Sequence, residues 1–233
     1  MSYDRLDIIS VKNKIDKYLI NTPVLRFDFV DSLCNCEVFF KCENFQHTGS
    51  FKYRAALNAI KSIPNSYKKR GVITHSSGNF AHALSRAASE LNISCYIVMP
   101  SNTPYFKKMS VLKYTENIIE CKPTLEAREH MTKKVMRENN LFFLHPSNNM
   151  DVILGNSTCA FEFFEENPNL DYIFSPVGGG GLIAGTCLAM NHFSKNFQVI
   201  GAEPSNVDDA YRSLISGKIE TNKSTNTIAD GLR

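Results

Sequence analysis

Between residues 71 and 216, short apolar runs alternate with helix-length stretches, and this alternation limits the available folds more than any single residue does. Strands read at 71–74, 93–98, 117–120, 141–144, 171–175 and 197–202. Helices read at 79–91, 104–114, 124–139, 151–166, 181–194 and 207–216. The apolar runs are continuous, as expected of strands covered on both faces. Repeated strand–helix units specify a parallel, doubly wound α/β fold with right-handed crossovers. Ahead of them, residues 5–20 read as an amphipathic helix with Leu6, Ile9, Ile15 and Leu19 apolar, stopped by Thr22-Pro23. A strand at 37–41 and a helix at 51–63 complete the pattern, and the polar tract at 221–226 reads as a loop.

Ligands in such folds sit at the carboxyl ends of strands. Two strand-to-helix turns therefore stand out, Ser76-Ser77-Gly78-Asn79 and Pro176-Val177-Gly178-Gly179-Gly180-Gly181. Four consecutive glycines, in a chain with Gly 12 in all, can turn their N–H groups toward one anion at a helix N-terminus. The first turn could hold a carboxylate on its N–H groups, with the Ser77 hydroxyl moving a proton. By itself that turn is an ordinary serine cap.

A third segment, Thr48-Gly49-Ser50-Phe51-Lys52, places one lysine in the first turn of a helix, where the helix dipole favours a neutral amine. A neutral amine forms Schiff bases. A lone lysine here would read as a surface residue. Paired with an anion-binding glycine run, it suits a molecule carrying both an aldehyde and a phosphate, pyridoxal 5′-phosphate (PLP).

Composition narrows the alternatives. The chain has 233 residues and a net charge of +3 with acids and bases mixed, which gives no case for nucleic acid. No apolar stretch approaches the roughly 20 residues a membrane span needs. The cysteine count is Cys 7, unpaired in pattern, and no secretion signal is evident, so a cytoplasmic setting is expected. Six histidines show no zinc spacing. Glu203 and Asp209, with the Val207 carbonyl between them, could take a hard cation such as Mg²⁺ or Ca²⁺; a proline turn with a helix-capping acid fits the same spacing.

These segments together resemble the fold type II PLP enzymes, in the serine racemase and serine/threonine dehydratase family. The matching stretches are Lys41-Cys42-Glu43, Thr48-Gly49-Ser50-Phe51-Lys52, Thr74-His75-Ser76-Ser77-Gly78-Asn79, Pro176-Val177-Gly178-Gly179-Gly180-Gly181, Ala202-Glu203-Pro204-Ser205-Asn206 and Thr227-Ile228-Ala229-Asp230-Gly231. The resemblance implies a two-lobed, tryptophan synthase beta-like fold of doubly wound parallel sheets. The large lobe would comprise 1–69 and 148–233, and the small lobe 70–147, with PLP in the cleft between them. Lys52 would hold PLP as a Schiff base and take the substrate α-proton. Phe51 would pack near the ring and Asn79 would bond its 3′-oxygen. Gly178, Gly179, Gly180 and Gly181 would bind the phosphate. Ser76, Ser77, Gly78 and Asn79 would bind the substrate carboxylate, with Ser77 as a second acid/base. Glu203, Val207 and Asp209 would hold the cation. The family also implies an amino acid substrate and a homodimer.

The implied reaction is dehydration of a hydroxy amino acid to a 2-oxo acid and ammonia, with serine racemization as the alternative. Three departures bear on it. Phe80 stands where the family usually has histidine, an expected loss of one polar contact near the substrate. Gly155-Asn156-Ser157-Thr158 replaces the family's Gly-Gln-Gly-Thr. The chain stops at Arg233, whereas family members continue and complete the large lobe. A fragment, or a non-catalytic relative, is therefore a further reading. A plain nucleotide-binding module is a more distant one.

Overall fold

The computed structural model describes residues 3–193, 197–222 and 226–232. Helix α1 (Arg5–Ile15) opens with a reciprocal cap. The Asp4 carboxylate accepts from the Leu6 and Asp7 N–H groups, and Asp7 accepts from the Asp4 N–H. Ile8, Val11 and Ile15 form its buried face. Leu6 is 71% exposed, so the apolar stripe runs through Ile8 rather than Leu6. The helix ends at Ile15 and passes into a single 3₁₀ turn over Asp16–Tyr18.

A short antiparallel hairpin follows. Strand β1 (Val24–Arg26) pairs with β2 (Phe39–Lys41), Val24 opposite Lys41, around helix α2 (Asp28–Cys34). Arg26 pairs with Asp31 and Glu37, and Asp31 also accepts from the Val38 N–H, so one carboxylate ties the helix to both strands. Sequence periodicity shows neither α2 nor an antiparallel pair.

The expected parallel architecture occupies the rest. Strands β3 (Val72–His75), β4 (Cys95–Pro100), β5 (Ile118–Cys121) and β6 (Phe142–Phe143) form a parallel sheet in the order β5-β4-β3-β6. Helices α5 (Asn79–Glu90), α6 (Tyr105–Leu112) and α7 (Leu125–Asn139) make its crossovers. A second parallel pair joins β7 (Tyr172–Pro176) to β8 (Gln198–Ala202), linked through α9 (Gly181–Phe193). The one-turn helix α4 (Asn65–Lys68) precedes β3, and α10 (Asp209–Ser216) follows β8.

Helix α3 (Lys52–Ser62) and helix α8 (Met150–Glu166) form the centre with α1 and α9. Leu57, Ile60 and Val152 are fully buried there, each stabilising by about 1.5–3 kcal/mol. Two glycines set the helix spacing. A Cβ on Gly155 would lie 2.6 Å from the Arg54 carbonyl of α3, and one on Gly185 would lie 2.7 Å from the Ser157 nitrogen of α8. Only bare backbone lets three helices approach this closely. Ser157 itself donates to the Leu154 carbonyl at 2.7 Å, which accommodates serine where the family has glycine.

Candidate active site

Lys52 is positioned by the chain that enters α3. Thr48 and Gly49 both take positive φ, 63° and 73°, and reverse the backbone just before the helix. A β-branched residue held in that region is strained, and such strain concentrates at functional sites. The first turn of α3 is fixed from below by a buried ion network. Arg54 donates to both oxygens of Glu43 at 2.8 Å and also pairs with Glu162. Lys41 adds contacts to Glu162, at 3.5 Å, and to Glu166, at 3.3 Å.

The Lys52 amine donates to the Pro146 carbonyl at 3.2 Å and lies 5.0 Å from the Phe51 ring centre. Burial pulls its pKa down to about 8. Desolvation of the charged form is the cause.

Pro146 belongs to the loop after β6, and this loop joins the other parts of the site. His145 Nδ1 accepts from the Ser147 and Asn148 N–H groups, at 3.1 and 2.8 Å. Its ring stands edge-on to His75 at 5.5 Å, at the end of β3. Burial holds both histidines below their usual pKa. On the other side, a Cβ on Gly179 would meet the Ser147 hydroxyl at 2.6 Å, and one on Gly181 would meet Ser147 Cα at 3.1 Å. One loop thus touches the amine of Lys52, the glycine run and the end of β3.

The glycine run leads from β7 into α9, and Gly180 has φ +79°, open to glycine at little cost. Among the described residues the N–H groups of Gly178, Gly179 and Gly180 have no partner. With the unpaired first turn of α9 they are free to donate to an anion. The 3₁₀ turn Asp230–Leu232 packs across Gly178, whose Cβ would lie 2.8 Å from the Gly231 carbonyl, and Lys107 of α6 pairs with Asp230.

The turn at 76–79 opens α5 at the carboxyl end of β3. The Ser76 N–H donates to the Val98 carbonyl, and Ser76 Oγ accepts weakly from Gly78 at 3.4 Å. Asn79 is exposed, and the Ser77 hydroxyl has no hydrogen-bond partner among the described residues. Phe80 points the other way. It is 2% exposed and packs in the main core, so it anchors α5 rather than leaving a gap beside a ligand.

The family model of the pyridoxal-phosphate dependent enzymes matches residues 15–233. The chain belongs to that family. A serine racemase from Dictyostelium discoideum is 45% identical over 228 residues, covering 97% of this chain and 70% of that relative. A beta-hydroxyaspartate dehydratase from Paracoccus denitrificans is 42% identical over 226 residues, covering 97% and 72%. The crystal structure of the Dictyostelium discoideum serine racemase superposes with a TM-score of 0.93 at 44% identity, covering 100% of this chain and 75% of that one. This family member thus has the fold type II architecture and sits among PLP-dependent amino acid racemases and dehydratases.

The residues present fit PLP. Buried polar atoms without partners include Thr48 Oγ1 and Ser50 Oγ just before Lys52, Thr74 Oγ1 just before the turn at 76–79, and Ser175 Oγ and both amide atoms of Asn156 around the glycine run. Each such group costs about 1–3 kcal/mol if left unpaired. Their placement at the three segments matches a polar ligand with an aldehyde end and an anionic end.

The residues suggested for a cation lie at the start of α10. Both Glu203 oxygens accept from the first turn of α10, from Ala210 at 3.2 Å and Tyr211 at 2.8 Å. Asp209 accepts from Asn222 at 2.6 Å, and Val207 is fully buried. These contacts fit the helix-cap reading of the spacing, and two carboxylates with one carbonyl are too few acidic groups to count as a cluster of three. Among the described residues no cluster of three or more His, Cys, Asp or Glu is arranged to hold a metal. Likewise, no described helix is long and apolar enough to cross a membrane.

Sequence reasoning passed over His145, Pro146 and Ser147 as site residues, and took Asn156 only as part of a departure beside the phosphate site. The strand-to-helix rule that singled out the other two turns applies equally to the loop after β6.

Proposed function

We propose that this protein removes the α-proton of a hydroxy amino acid and eliminates its β-hydroxyl, giving a 2-oxo acid and ammonia. The observation that carries this reading is the buried Lys52 amine, with its pKa near 8, hydrogen-bonded to the loop that also contacts the glycine run. Residues 1–69 with 148–233 would form the large lobe and residues 70–147 the small one, with the site between them.

Bound PLP supplies an electron sink that acidifies the substrate Cα–H. Lys52 Nζ would hold the cofactor at its aldehyde end and would serve as the base for the substrate α-proton; at pH 8 about half of the free amine is neutral. The Gly178, Gly179, Gly180 and Gly181 N–H groups would hold the phosphate and fix the ring against Lys52. Phe51 would pack beside the ring, and Asn79 would bond its 3′-oxygen. The Ser76, Ser77, Gly78 and Asn79 turn would hold the substrate carboxylate, the Ser76 N–H being taken by the Val98 carbonyl and the Gly78 N–H only weakly held by Ser76 Oγ. The proton on Lys52 would leave with the β-hydroxyl as water.

A second reading, racemization, has its own support in the serine racemase relative. It needs an acid/base on the opposite face, for which Ser77 is the candidate. The test is incubation with PLP and L-serine, with pyruvate and D-serine both quantified. Pyruvate in excess supports elimination, and D-serine in excess supports racemization. Lys52→Ala should abolish the borohydride-trapped PLP adduct. An adduct persisting on another lysine would remove Lys52 from the reaction.

A further inference from the structure

Asn156 has no part in the mechanism above, yet it is the most conspicuous unpaired group near the site. It is 0% exposed, and neither its Nδ2 nor its Oδ1 has a partner. Its side chain faces the glycine run: Nδ2 lies 3.3 Å from the place a Gly181 Cβ would take. Ser147 Cα is 3.1 Å from the same point, so Gly181 is enclosed by the carboxamide and the loop that touches Lys52.

The neighbouring polar side chains of α8 are satisfied locally. Ser157 donates to Leu154 and Thr158 donates to Gly155, each at 2.7 Å. Asn156 alone of these three is left with both donor and acceptor idle, on the side of α8 that packs against Gly181. A buried amide without a partner is costly, and it persists where something else completes it.

We propose that Asn156 is a ligand-binding residue whose Nδ2–H donates to the phosphate end of the cofactor, completing the glycine cradle from beneath. A side-chain donor supplements the backbone N–H groups, and the carboxamide adds no charge to the buried interior. This inference rests on the PLP reading above.

The test separates the phosphate from the rest of the cofactor. Pyridoxal has the same ring and aldehyde as PLP but no phosphate. Binding of each is measured by visible absorbance, and capture on Lys52 by borohydride reduction and mass spectrometry. Asn156→Leu and the near-isosteric Asn156→Asp should each raise the PLP Kd at least about tenfold, the loss expected for one hydrogen bond to a charged group. Neither should change pyridoxal capture, and Asn156→Gln should recover much of the PLP affinity. Equal weakening of both ligands, or unchanged PLP affinity, would overturn the assignment and leave Asn156 a structural amide satisfied by water.

Circular dichroism checks folding. Should no variant fold, the Asn156 side-chain amide resonance of the unsubstituted protein decides. It should shift with PLP and stay in place with pyridoxal; no shift with PLP overturns the assignment. Failure of the unsubstituted protein to take up PLP at all would instead remove the cofactor reading, and this inference with it.

Discussion

Lys52→Met should stabilise the ligand-free protein while abolishing its capture of PLP. The lysine amine falls from its ordinary 10.5 to about 8 because the charged form is desolvated. At pH 7 the folded protein must hold that amine mostly charged in a buried position. Linkage gives the size of the effect: with pKa values of about 8 folded and 10.5 unfolded, the cost at pH 7 is about 3.4 kcal/mol. The sign follows from proton binding. Between pH 8 and 10.5 the unfolded chain binds more protons, so stability rises with pH across that window and is flat below it. Methionine has similar length and no charge, so it should recover most of the cost at pH 7 but only about 0.8 kcal/mol at pH 10. With an unfolding entropy of about 0.5 kcal/mol/K for a chain of this size, Tm should rise by about 7 °C at pH 7 and about 2 °C at pH 10. Differential scanning calorimetry of the PLP-free protein at both pH values measures this. A Tm lowered by methionine, or a gain that does not shrink toward pH 10, would refute the claim that the amine is buried at an energetic cost.

Other substitutions probe the frame around the amine. Arg54→Met should cost about 3–5 kcal/mol in urea denaturation, because it leaves Glu43 buried without its cation and Glu162 with Lys41 alone. Gly185→Ala should cost about 1–3 kcal/mol in the same assay, since its Cβ would press on the α8 backbone at 2.7 Å. Ser77→Ala should spare pyruvate formation from L-serine and remove any D-serine, as read by chiral chromatography; persistent D-serine would take Ser77 out of the proton path. In competitive labelling followed by mass spectrometry, Lys52 should react with a midpoint near pH 8, and an ordinary midpoint near 10.5 would contradict its burial.

The features legible in the sequence are those whose signal is local. The glycine run, the lysine after Gly49-Ser50-Phe51 and the turn at 76–79 each announce themselves within a few residues. The parallel strands do so too, through continuous apolar runs. The β1–β2 hairpin has no such signal. Its strands are three residues each, and it is held by Arg26, Asp31 and Glu37, which meet only after α2 folds between them. Leu6 misled because periodicity does not choose between neighbouring stripes of a helix; packing against α8 selects Ile8, Val11 and Ile15. The direction of Phe80 was hidden for a related reason. Its neighbour Asn79 is exposed, and only the placement of α5 on the sheet sends the next side chain into the core.

The site therefore depends on two opposed uses of burial. Around Arg54, burial is matched by charge: Glu43 and Glu162 meet the guanidinium, Lys41 pairs with Glu162 in turn, and the first turn of α3 is held on a paired base. Two residues earlier on the same helix, the Lys52 amine has one carbonyl at 3.2 Å and no carboxylate among the causes of its shifted pKa. A carboxylate placed beside Lys52 would stabilise the protonated amine and raise its pKa, removing the free base that Schiff-base chemistry requires. Keeping the acids on Arg54 and away from Lys52 resolves the conflict, because the helix gains its anchor without the amine gaining a counter-ion. On this argument Pro146→Ala, which keeps the carbonyl, should leave the Lys52 pKa near 8. Placing an acid at the adjoining loop position, Ser147→Asp, should raise that pKa and slow PLP capture at pH 8. Stopped-flow absorbance on both variants measures the rate, and faster capture by Ser147→Asp would show that the amine is not limited by its protonation.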